Sequence, residues 1–158
     1  MATPRYAELR CKSCFSFLRA ASHPEELVGT AAELGLTALA LADVNGLYGV
    51  VRAHAEAKRR GLPLIVGAEI ACVDLSPGPF RTSPLVLLAM DREGYASLCR
   101  LLTESHCGGA AAEGAPERRE VVDVAFHKVA DRARGLFALY PGADGEAAAR
   151  LRDAFGRR

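Results

Sequence analysis

Residues 36–42, Leu-Thr-Ala-Leu-Ala-Leu-Ala, form a nearly unbroken apolar run between two amphipathic segments, and no other feature narrows the fold as much. A strand apolar on both sides must be covered on both faces, the condition of a parallel strand with helices above and below. The flanking segments fit. Ser22 reads as an N-cap with Glu25 reaching back to it and Pro24 in the first turn, where a missing N–H costs little. Leu27, Val28, Ala31, Ala32 and Leu34 give that helix its apolar stripe, and Gly35 is placed to end it. After a break at Asp43-Val44-Asn45-Gly46, a second helix over residues 48–60 turns Val50, Val51, Ala53 and Ala57 inward. Lys58, Arg59 and Arg60 suit the negative end of its dipole, Gly61 ends it, and Leu64-Ile65-Val66 is the next buried strand.

A first strand at residues 6–9 completes two strand–helix–strand steps, which imply right-handed crossovers and a mainly parallel sheet. The pattern then changes. Residues 70–74 and 85–90 flank Ser76-Pro77-Gly78-Pro79, whose turn chemistry predicts a hairpin-like pair. Asp91 is placed to cap a helix through Thr103, residues 105–120 are Gly- and Ala-rich and predict a mobile loop, and a helix over 121–134, a strand over 136–140 and a helix over 144–155 follow.

The chain has 158 residues, enough for one domain with a sizeable core. Twenty Lys and Arg against 19 Asp and Glu leave a net charge of +1, so a nucleic-acid contact would have to be local rather than a property of the whole field. No apolar run reaches the roughly 20 residues of a membrane span, and the first residues lack the apolar core of a signal peptide, so the expectation is a cytoplasmic protein without a membrane partner. The five cysteines are odd in number and suit no disulfide framework. Cys11 and Cys14 form a C-x-x-C, but Cys72, Cys99 and Cys107 stand singly and supply no second close pair for zinc, so Cys14 and Cys72 read as small buried apolar residues. His23, His54, His106 and His127 lack the tight spacing of metal ligands.

The order of elements over residues 6–141, with Gly67-Ala68-Glu69 after the third strand and the segment Asp91-Arg92-Glu93-Gly94-Tyr95, resembles the N-terminal polymerase-and-histidinol-phosphatase (PHP) domain of bacterial DNA polymerase III alpha subunits, the error-prone form in particular. The resemblance implies an α/β fold of the distorted β/α-barrel type, with metal ligands at the C-terminal ends of the strands. Active members of the family hold two or three divalent metals and hydrolyse phosphoesters.

Placed on this sequence, most of those ligands are missing. The family's His-x-His falls on Arg10-Cys11-Lys12, and a later aspartate falls near Arg19. The Thr-Asp-His-Gly motif falls on Ala42-Asp43-Val44-Asn45, keeping Asp43 but replacing its histidine with Val44. Glu69 is kept. A two-metal site needs several neutral imidazoles and carboxylates to hold cations roughly 3.5–4 Å apart, and Arg10 and Lys12 would repel them.

No cofactor is therefore expected; zinc or manganese would rest on Glu69 and Asp43, with Cys11 or Cys14 as further ligands, if a site persisted. Either Arg10 or Lys12 replaces the metal's charge by pairing with Glu69 or Asp43, or both point to solvent while Glu69 caps a turn. Arg10, Lys12 and Arg19 are also candidates for contact with an anion or DNA. Phe15 and Phe17 either stack on single-stranded DNA, or one or both rings close the core, and the second is the expectation.

On that resemblance, residues 1–158 are expected to be a single PHP-like domain, truncated relative to the family and without polymerase palm or fingers. It implies a non-catalytic module, acting as scaffold or partner-binding part in DNA replication and translesion repair. Its expected partner is a DNA polymerase subunit, or a second copy reached through an open sheet edge. The alternatives are a residual metal-dependent phosphoesterase or exonuclease, and a truncated polymerase gene product without selected function.

Overall fold

The structure, a computed structural model, describes residues 5–76, 82–107 and 122–156. The chain divides into two compact units, Met1–Glu69 and Ile70–Arg158. Strand β3 runs from one into the other.

The first unit is the alternating half predicted from the sequence. Strand β1 (Ala7–Cys11) pairs in parallel with β2 (Ala38–Val44), and β2 in parallel with the start of β3 (Leu64–Val73). Helices α1 (Pro24–Glu33) and α2 (Val50–Arg60) are the two crossovers. Residues 39–43 of β2 are all buried, as a strand covered on both faces must be. Val28 and Ala31 from α1 pack with Ala53 and Ala57 from α2 over Leu39, Leu41 and Leu62. Fully burying side chains of the Val and Leu class contributes about 1.5–3 kcal/mol each, so this cluster dominates the unit's stability. The surface pairs between the helices, Arg52 with Glu25 and Arg60 with Glu33, are exposed and add little.

The boundaries differ in small, explicable ways. Helix α1 takes His23 as its N-cap rather than Ser22, because Glu26, not Glu25, accepts the cap's backbone N–H at 2.8 Å. Pro24 then stands at the first helical position. Gly61 ends α2 with φ +69°, the left-handed conformation a helix C-terminus favours.

In the second unit, β3 has β4 (Thr82–Ala89) as a neighbour, and β4 pairs antiparallel with β6 (Leu136–Leu139). The two expected strands at 64–66 and 70–74 are one strand of 10 residues. Gly67, Ala68 and Glu69 are buried within it and do not break it. Pro77 to Pro79 of the expected turn lie outside the described residues.

Helix α3 (Arg92–Cys107) is capped by Asp91, whose Oδ1 accepts the Gly94 N–H at 2.8 Å. It continues through Cys107, so residues 105–107 of the expected loop are helical, and residues 108–120 lie outside the described residues. The expected helix over 121–134 is a correction. Asp123–Ala125 is a strand, β5, parallel to the end of β3, and only Phe126–Asp131 is helical, as α4. Asp144 caps α5 (Gly145–Phe155) by accepting the Glu146 N–H at 2.9 Å. Among the described residues no helix is long and apolar enough to cross a membrane.

Candidate functional site

The C-terminal ends of β1, β2 and β3 bring the sequence's candidate residues together. Parallel register sets Val44 opposite Glu69, and the two-residue repeat of an extended chain sends Arg10 and Lys12 to the same side. Both cations converge on one atom. Glu69 Oε2 accepts from Arg10 Nε at 2.7 Å and from Lys12 Nζ at 2.8 Å.

Burial is unequal across this triad. The Glu69 side chain is 9% exposed, that of Lys12 17% and that of Arg10 45%. Burial by itself would raise the Glu69 carboxyl, but the hydrogen bonds and charges of Arg10 and Lys12 together outweigh it and hold the group below its ordinary value. Glu69 is therefore a carboxylate at neutral pH, with its charge matched by the protein's own cations.

Asp43 takes the other course. Its carboxylate, in a residue only 2% exposed, accepts from the Ser13 N–H at 2.7 Å, the Ser13 hydroxyl at 2.8 Å and the Ser16 hydroxyl at 2.6 Å. Ser16 Oγ in turn accepts the Val44 N–H at 3.0 Å. The acid is satisfied by neutral donors, and its work is to fasten the loop after β1 onto the end of β2. Gly49, just before α2, completes the enclosure: a Cβ there would lie 3.1 Å from Asp43 Oδ2 and 2.9 Å from Pro24.

Ser13, Ser16 and Gly49 were not legible as site residues. The available signal was the spacing of two serines three apart, directly after a strand whose neighbour ends in a buried acid. Arg19 is exposed, and its N–H closes a turn on the Ser16 carbonyl at 2.9 Å. Val44 is half-buried and offers only its backbone.

Both candidate carboxylates are engaged by the chain's own donors: two cations share Glu69 Oε2, and three donors point at Asp43. Among the described residues no group of three or more His, Cys, Asp or Glu is positioned to hold a metal ion. His23 lies with Nδ1 3.2 Å from Cys14 Sγ, and His54, His106 and His127 are exposed. Cys11 packs against the first unit's core, and burial raises its thiol.

The family profile described as the PHP domain matches residues 8–156. An error-prone DNA polymerase from Anaeromyxobacter sp. (strain K) is 75% identical over 157 residues, covering 98% of this chain and 14% of that protein. An error-prone DNA polymerase from Bordetella parapertussis is 52% identical over 111 residues, 70% of this chain and 10% of its own length. The chain thus spans about a seventh or less of these curated relatives. Among solved structures, an amidohydrolase from Chromobacterium violaceum with bound sulfate and no metal is similar, at 27% identity and a TM-score of 0.50, over 65% of this chain and 34% of that one.

Proposed function

The chain belongs to the PHP domain family, and on that premise we propose that it is a non-catalytic PHP module, serving as scaffold or partner-binding part of an error-prone DNA polymerase in replication and translesion repair. The observation that carries this reading is the capture of Glu69 Oε2 by Arg10 and Lys12. A metal-dependent phosphoesterase must present carboxylates and imidazoles to cations it recruits from solution. Here two cations tethered to the backbone already hold that carboxylate. Asp43, satisfied by serines, holds a loop in place.

The partner in this proposal is the polymerase polypeptide, since the error-prone polymerases resembled are far longer than the matched region. A second copy is the other candidate: within the first unit, β1 pairs with β2 and with no other described strand, leaving a backbone edge for another chain. A DNA contact through Arg10, Lys12 or Arg19 belongs to the same module as a subsidiary proposal.

The test is metal content by mass spectrometry after incubation with zinc and manganese, together with hydrolysis of phosphomonoester and single-stranded DNA substrates, with Glu69→Ala as control. Metal-free protein with no hydrolysis in either form is the expected result. Near-stoichiometric metal that disappears in Glu69→Ala would overturn it in favour of a residual phosphoesterase or exonuclease.

A further inference from the structure

The loop joining β1 to α1 is built inside out. Ser13 and Ser16 are buried, at 0% and 1% exposure, while Phe17 and Leu18 are exposed at 83% and 89%. These are the two most exposed large apolar side chains among the described residues. The sequence leads one to expect that one or both of Phe15 and Phe17 close the core; Phe17 does not, and the core-facing place is taken by Ser16, which Asp43 holds. Leu18 also sits at φ +59°, a left-handed conformation that a residue with a bulky side chain adopts only when its surroundings impose it.

The surroundings do impose it. The Cys14 N–H bonds the Ser22 carbonyl at 2.8 Å, and the Arg19 and Ala20 N–H groups both bond the Ser16 carbonyl, at 2.9 and 3.2 Å. Together with the serine–Asp43 bonds, these hold the loop from both ends and from its middle. A side chain shown to solvent on a segment so fully anchored loses little conformational freedom when it is covered, which is the property of an interface anchor.

We infer that Phe17 and Leu18 form a docking knob that enters an apolar socket on the polymerase polypeptide. This rests on the reading of the chain as a partner-binding module and names the surface involved. The occupant follows from two observations. The segment matching this chain makes up only 14% of the strain K polymerase, so most of that polypeptide lies outside the match and is available to cover the knob. Moreover, the loop carries little excess charge: Lys12 and Arg10 are committed to Glu69, Asp43 is buried, and Arg19 is the exposed cation beside the knob. A single-stranded nucleic acid would call for a clear excess of positive charge and flat rings to stack on, whereas leucine offers no π face.

The test places the photoreactive residue p-benzoylphenylalanine at position 17 of the protein in the cells that make it, and in parallel at Val51 on α2 and Phe137 on β6, both exposed. After irradiation the adducts are mapped by mass spectrometry. The expected result is a cross-link from position 17 to error-prone polymerase sequence outside the region this chain matches, in yield at least about tenfold above position 51.

Adducts from position 17 to nucleic acid or to a second copy of this segment, or a yield no higher than at position 51, overturn the knob. If position 51 or 137 reaches polymerase sequence while 17 does not, the scaffold reading stands and the knob fails. If no position reaches it, both fail. Leu18→Ser is expected to lower the yield at 17 without moving the melting temperature, and a retained yield would also count against the socket.

Discussion

Replacing Glu69 by alanine removes the acceptor shared by Arg10 and Lys12, and the loss can be worked from their burial. Lys12, only 17% exposed, cannot recover full hydration in place, so losing its charged hydrogen bond costs about 1.5–3 kcal/mol. Arg10, 45% exposed, turns to water and contributes roughly 0–1 kcal/mol. The sum, about 1.5–4 kcal/mol, is centred below the roughly 3–5 kcal/mol of a fully buried broken pair. For a chain of this length it corresponds to a fall in melting temperature of about 3–16 °C.

The assay is thermal and urea denaturation at pH 7, run as a double-mutant cycle with Lys12→Met, Glu69→Met and their combination. The double replacement should recover most of the loss, because it removes the more buried cation with its acceptor and leaves only Arg10, 45% exposed, to turn to water. A Glu69→Ala protein within about 0.5 kcal/mol of the parent would refute the reasoning, as would strict additivity in the cycle.

The pH dependence has a fixed sign. Because the folded Glu69 carboxyl lies below its ordinary value of 4.5, its contribution is fully present above pH 4.5 and is lost as pH falls through the folded value. The stability gap between parent and Glu69→Gln should therefore hold steady from neutral pH to about 5 and shrink below 4.5.

Asp43→Ala should be costlier than Asp43→Asn, by about 1–3 kcal/mol in urea denaturation, since alanine leaves the buried Ser13 and Ser16 donors without an acceptor; equal midpoints would argue that water replaces the carboxylate. Limited proteolysis should then cut within residues 14–21 in Asp43→Ala and spare the parent. Gly94→Ala should destabilise by about 2 kcal/mol or more, because its Cβ would fall 1.8 Å from the Gly135 carbonyl oxygen, whereas the nearest atoms to a Cβ at Gly46 belong to the 64% exposed ring of Tyr48, which can swing aside. Similar melting temperatures for the two variants would show that the Gly94 contact relaxes. Burial pushes the Cys72 thiol up to about 12, so a thiol reagent at pH 8 should modify exposed Cys107 in the native protein and Cys72 only after unfolding; native labelling of Cys72 would place it outside the core.

The first unit was readable because its signals are local. The apolar run at 36–42 needs no distant partner to announce a covered strand, and the Arg-rich end with Gly61 announces the close of α2. The second unit depends on pairings across long stretches of chain. Val122, Ala125 and Val129 mimic a helical stripe, yet Asp123 to Ala125 extend because β3, some fifty residues earlier, offers Ala71 to Val73 as partners. No local pattern contains that information.

The site divides in the same way. Arg10, Lys12 and Glu69 could be brought together on paper, since alternate residues of one strand and the end of a nearby parallel strand share a face. The serine clasp on Asp43 could not, because Ser13 and Ser16 look like ordinary loop residues until the loop folds back. The same fold-back gives Ser16 the inward place and leaves Phe17 outside.

Two cations sharing one carboxylate oxygen also make this site hard to change by single steps. Replacing Arg10 alone leaves Lys12 on Glu69, and replacing Lys12 alone leaves Arg10 there; in either case an incoming divalent ion still faces a resident ammonium or guanidinium. Replacing Glu69 first strands both. Freeing Glu69 Oε2 of both cations therefore takes at least two substitutions, and the path through Glu69 itself passes through a less stable protein. The arrangement therefore acts as a ratchet: the geometry that stabilises the present state closes the short mutational routes out of it.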